Sequence, residues 1–143
     1  MSSSWVLVLT VLVAAFGVAY VIGRLITLRA GLLKASEDAA NLGPEATREL
    51  GLSATGPTIV HFTAEWCGPC AAVRRVVDQV CADLPQVAHV EIDMDANPEA
   101  ARRLSVLSLP TTIIFDAGGR PRFRTHGVPK AADLRTALEP LLA

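Results

Sequence analysis

The stretch Ala64-Glu65-Trp66-Cys67-Gly68-Pro69-Cys70 decides how this chain is read. Ahead of it, Thr58 to Thr63 is a short run of β-branched and aromatic residues, apolar on both alternations, as an interior strand is. Behind it, Gly68 to Leu84 places Val73, Val76, Val77, Val80 and Cys81 at the spacing of one helix face. Two cysteines three apart therefore stand where a strand turns into a helix. On a helix, such positions hold their Cβ atoms about 5–6 Å apart, and a disulfide needs about 3.5–4.5 Å. A first turn with the adaptable Gly68-Pro69 insert can close the difference. Unpaired N–H groups and the positive end of the helix dipole stabilise an anion at that place. The thiolate is the attacking species, so Cys67 reads as the nucleophile. Cys70, deeper in the turn, reads as the resolving thiol that breaks the mixed disulfide and leaves a 67–70 bridge.

Zinc sites also use C-x-x-C, but with two further ligands at suitable spacing. The other candidates are Cys81, His61, His89 and His126. Cys81 lies about three helical turns past Cys70, or ~16 Å. That is out of reach of a shared disulfide or metal shell, so Cys81 reads as a thiol packed in the helix core. Exchange chemistry is the preferred reading, with no metal.

Further along, Val87 to Met94 reads as a second strand. Pro98 to Leu104 reads as a short helix, with Asn97 as cap and Pro98 in first position. Thr111 to Phe115 and Arg120 to Thr125 flank Ala117-Gly118-Gly119, a hairpin signal. Ala131 to Leu142 closes as a helix. The order predicts an α/β fold, a small mixed sheet with helices on both faces. Asp93-Met94-Asp95-Ala96-Asn97 begins like a calcium loop, but Pro98 and Leu104 stand where that loop needs Gly and Glu. Arg74, Arg75, Arg102 and Arg103 read as solvated helix faces, and Arg120, Arg122 and Arg124 as one exposed strand face.

These residues together resemble the thioredoxin superfamily over roughly 57–143, and the layout resembles membrane-anchored bacterial members. Besides the cysteine motif, Asp95-Ala96-Asn97-Pro98 and Leu109-Pro110-Thr111 fall where the family carries an Asn-Pro helix start and its cis-proline. Gly118, Gly119 and Gly127 match the hairpin and the glycine after it. The resemblance implies a thioredoxin fold with no metal or organic cofactor. It implies substrate contact through Trp66, Gly68, Pro69 and the backbone of Leu109. It also implies protein disulfides as substrates and a thiol reductant or reductase as partner. Taken alone, Leu109-Pro110 fits either a cis bond or a trans proline at a strand start; the resemblance implies cis. The family's first strand is expected within 45–56, or to be absent.

Two positions depart from the family. His61 stands where thioredoxins carry a buried Asp, and Glu91 where they often carry a Lys. One reading pairs His61 with Glu91 beneath Cys70, with His61 relaying protons. A charged His61 would also favour thiolate and make the bridge more oxidising. The other reading is a core histidine satisfied by backbone.

The 143 residues carry 13 basic and 14 acidic side chains, net charge -1, which gives no reason to expect nucleic acid as a partner. The hydrophobic content of 51% is high for a purely soluble domain of this size, and one apolar block at the N-terminus accounts for the excess. After a tail at 1–4, residues 5–23 hold no charge. As a helix they span roughly 28 Å, the thickness of a bilayer core. A cleaved signal peptide fits poorly, because no basic region precedes the apolar run and Arg24 follows it directly. Arg24, Arg29 and Lys34 place the C-terminal side in the cytoplasm by the positive-inside rule. Residues 24–56 read as a juxtamembrane tether, with a helix expected over Thr27 to Ala40 and a shorter one over Glu45 to Leu50. The leading function is a membrane-tethered protein-disulfide reductase. The alternatives are an extracytoplasmic exchange protein, for instance in cytochrome maturation, and a non-enzymatic redox sensor or scaffold.

Overall fold

A computed structural model describes residues 2–29, 34–35 and 42–143. It divides into two units, Met1–Ala30 and Gly31–Ala143. The first is one helix, α1 (Ser2–Arg29). Its stretch Trp5–Leu25 is long and apolar enough to cross a membrane, and its side chains are exposed.

The second unit runs β1 (Lys34–Ala35), α2 (Pro44–Glu49), β2 (Thr58–Thr63), α3 (Cys70–Asp83), β3 (Ala88–Asp93), α4 (Pro98–Arg103), β4 (Thr111–Phe115), β5 (Pro121–His126) and α5 (Ala131–Leu142). The sheet order is β1-β5-β4-β2-β3. β2 pairs parallel with β3 and antiparallel with β4, so it is central. All six of its residues are buried, as its lack of a polar alternation requires.

Each face of the sheet has its own core. Val60, Phe62, Ile113 and Phe115 pack with Ala101, Leu104 and Val106 on one side. Ile59 and Ile114 meet Val73, Val77 and Val80 of α3 and Leu134 and Leu138 of α5 on the other. Burial of each such side chain contributes about 1.5–3 kcal/mol. The helices sit where the 3.6-residue spacing placed them, with α3 beginning at Cys70 rather than Gly68 because Pro69 is its cap.

The upstream segment differs from expectation. Lys34–Ala35 is a strand paired with Arg124 and Phe123 of β5, so the juxtamembrane helix does not extend through it. Residues 30–33 and 36–40 of that expected helix lie outside the described residues. The first strand is not within 45–56, where α2 stands instead. Leu50 and Leu52 belong to the first core, so part of the expected tether is built into the domain. Arg124 is not on an open face either. It donates to the carbonyls of Leu104 and Ser105 at the end of α4, and its burial lowers its pKa.

Candidate active site

Cys67 and Cys70 are bridged, with S–S 2.02 Å and Cα–Cα 5.5 Å. The chain leaves β2, turns through a Cys67 N–H bond to the Ala64 carbonyl, and enters α3 at Cys70. Cys67 is 9% exposed and Cys70 only 2%. The Cys70 sulfur lies 3.8 Å from the Phe62 carbonyl oxygen. Cys67, Cys70 and Ala64 form one small cluster, with Leu109 packed against it. The Leu109–Pro110 bond is cis. The loop that carries it is held on both sides: Gly127 N–H donates to the Pro110 carbonyl, and the Thr111 hydroxyl donates to the Ser108 carbonyl.

Trp66 is 66% exposed and its indole N–H donates to Asp95 at 2.9 Å. Two more apolar side chains flank the proline loop, Leu107 at 91% and Val128 at 39% exposed. Sequence reasoning did not single them out, since nothing in a lone Leu or Val marks it as exposed. Asp93 closes a turn by accepting from the N–H groups of Asp95 and Ala96, which explains the acidic segment without calcium.

The polar cluster under α3 brings His61 and Glu91 within 3.6 Å of each other, at ion-pair distance and without a hydrogen bond. His61 is fully buried, and its Nδ1 lies 2.9 Å from His89 Nε2. Its Nε2 is 3.6 Å from Glu91 and has no hydrogen-bond partner. Glu91 is instead gripped by Arg74 through both oxygens, so Arg74 is not simply a solvated face. That hydrogen-bonded guanidinium pulls the Glu91 pKa down. His89 Nδ1 in turn meets Asp78 at 2.9 Å. Burial lowers the His61 pKa to about 4, only partly offset by Glu91. His61 is therefore neutral at pH 7 and lends no positive charge to a thiolate.

Linkage gives this shift a sign. Between pH 4 and 6.5 the unfolded chain binds a proton at His61 that the folded chain refuses. Stability rises with pH across that window and is lost on acidification, by about 3 kcal/mol in full. Urea unfolding of the full chain in detergent at pH 7.0 and 4.5 measures this. His61→Asn should flatten the difference, and an unchanged slope would contradict the assignment.

Among the described residues, His61, His89 and Glu91 are the one group of three ligand-type side chains with donor atoms within 4.8 Å of one another. Arg74 already holds both Glu91 oxygens, and the two rings bond each other, so the set is closed to a cation as it stands. Cys81 packs against the α3/α5 core, and burial raises its pKa. That disfavours the reactive thiolate.

A family profile for thioredoxin matches residues 46–140. The chain belongs to the thioredoxin family. It is 40% identical over 87 residues to the thioredoxin of Mycolicibacterium smegmatis, covering 59% of this chain and 78% of that one. It is 43% identical over 86 residues to the bifunctional thioredoxin reductase/thioredoxin of Mycobacterium leprae, where the match spans only 19% of the relative's length. A solved thioredoxin variant from Halobacterium salinarum superposes with TM-score 0.60 at 26% identity, covering 72% of this chain and 88% of that one. Chloroplastic thioredoxin z does so with TM-score 0.59 at 29% identity, covering 76% and 98%. The thioredoxin fold, with its cysteine pair at disulfide distance, is the one expected from the sequence.

Proposed function

We propose that this thioredoxin-family chain is a membrane-tethered thiol–disulfide oxidoreductase that reduces protein disulfides at the cytoplasmic face. The observation that carries the reading is the Cys67–Cys70 bridge at the entrance to α3, beside the cis-proline loop. Cys67, the more accessible sulfur, attacks the substrate disulfide. Cys70 then attacks Cys67, forms the internal bridge and releases reduced substrate. Trp66, Gly68, Pro69, Leu109 and Pro110 offer the surface on which the substrate chain lies. An external thiol reductant or reductase returns the bridge to the dithiol.

Support for the reducing direction comes from His61. A neutral ring adds no stabilisation of the thiolate, so nothing in that cluster pulls the potential upward. The couple should lie nearer about −270 mV than about −120 mV. Support for tethering is the apolar stretch Trp5–Leu25 of α1. Support for the cytoplasmic side is the run of Arg24, Arg29 and Lys34 after it, under the positive-inside rule.

Insulin reduction by the full chain with dithiothreitol tests the chemistry, and equilibration against glutathione tests the potential. Turnover no faster than dithiothreitol alone would sink the enzymatic reading and leave a sensor or scaffold. Sidedness is read separately, with an impermeant maleimide on Ser36→Cys in a chain whose native cysteines are serine. Labelling in intact cells would move the domain outside.

A further inference from the structure

The sheet stops at β3. β2 pairs on one side of it and, among the described residues, no strand pairs on the other. Ala88 donates its N–H to the Pro57 carbonyl and Met94 donates to the Thr63 carbonyl, so the even-numbered residues bond inward to β2. By strand alternation, the N–H and C=O groups of His89 and Glu91 point to the open side. The Asp93 carbonyl beyond them is taken by Asn97. Backbone groups left open in a row are a template for a further strand.

A groove of about 650 Å³ lies at this edge, where β3 meets the end of α2 and α4. Val90 and Ile92 of β3, Leu50 after α2 and Ala100 of α4 give it an apolar lining. Its charged lining is the carboxylates of Glu49, Glu91 and Glu99 and the guanidinium of Arg103. Arg103 bonds Glu49, and Arg74 holds Glu91 from α3. Glu99 is exposed and, among the described residues, has no ion pair. The groove is thus apolar within and acidic at its rim.

We propose that this groove is a docking site for an extended, basic segment of a partner protein, which joins the sheet as a new edge strand beside β3. Main-chain bonds to His89 and Glu91 hold the segment. Side chains of a strand alternate between its two faces, so one set of short apolar residues packs on Val90 and Ile92. Lysine side chains between and beyond them reach the carboxylates of the rim. Neither cysteine lines the groove, so the site is separate from the exchange chemistry. The loop at its upper end includes Asp95, which holds Trp66. A docked partner is therefore kept beside the surface proposed to receive the substrate chain.

Charge selects this occupant over two others. A second copy pairing through the same edge would set the acidic rim against itself, and like charges across an interface are costly. The chain's own residues 36–41 include Glu37 and Asp38 and no basic side chain, so the rim disfavours them as well. A basic strand meets opposite charge at Glu99, where no guanidinium of the described residues competes.

The test uses the full chain in neutral detergent and a capped, fluorescein-labelled peptide Lys-Val-Lys-Val-Lys, with binding read by anisotropy. Saturating peptide should slow hydrogen exchange at the His89 and Glu91 amides at least about tenfold. Glu99→Lys should weaken binding at least about tenfold, and Glu99→Gln by less. Cys67→Ser should bind as wild type does. A fully N-methylated peptide keeps the charges and side chains but cannot pair as a strand, so it should bind at least about tenfold more weakly. Equal binding of the two peptides, loss of binding in Cys67→Ser, or unchanged exchange at His89 and Glu91 would overturn the proposal. It also fails if those two amides are already protected in the free chain, because the edge is then covered. Sedimentation of the free chain would show whether a second copy covers it.

Discussion

Cys67→Ser is expected to lose more than about a thousand-fold in disulfide-exchange rate, to the level of the added reductant alone. The hydroxyl of serine is too weak an acid to supply the anion that attacks. Cys70→Ser is expected to fail differently. The first sulfur still attacks, but nothing releases the product, so substrate accumulates on Cys67 as a stable mixed disulfide. The asymmetry comes from access. Cys67 lies in the turn ahead of α3 at 9% exposure, whereas Cys70 is 2% exposed with its sulfur beside the Phe62 carbonyl. Non-reducing gels and intact mass of the two variants after incubation with insulin decide the matter. Adducts on the serine-67 chain, through Cys70 alone, would reverse the assigned roles.

The second large effect is on the core. Phe62→Ala should cost about 3–5 kcal/mol, a large part of the total of about 5–15 kcal/mol that a domain has. Phe62 is fully buried on the central strand, in the cluster that joins β4 to the end of α4. Neighbours on both sides are strand residues, Ile113 and Phe115 among them, and a paired sheet has little freedom to collapse into the space left. Urea unfolding of the full chain in detergent, followed by near-ultraviolet circular dichroism, measures the loss. A cost below about 1 kcal/mol would mean that the cavity closes, and the view of a rigid sheet core would be wrong.

Much of the domain was legible along the chain because its signals are local. A six-residue apolar strand, cysteines at a strand–helix junction, Asn97-Pro98 at a helix start and Gly118-Gly119 in a hairpin each act over a few residues. The two-residue β1 carried no such signal. Lys34 and Ala35 show no alternation, and only the edge of β5 makes them a strand. Leu50 and Leu52 looked like tether residues because the glycines and prolines around them mark turns, and turns do not reveal what packs on them.

The sequence by itself determined the redox pair, the order of strands and helices from β2 onward and the unusual histidine at position 61. Those depend on residue type and on spacing along one segment. Only the tertiary structure decided what His61 touches. His89 and Glu91 are two apart on one strand and share a face, so both were open to it. The choice lay with α3, whose Arg74 claims Glu91 and whose Asp78 orients His89 toward the buried ring. A competition between charges on two packed elements has no period and no motif, and it exists only once the helix lies on the sheet.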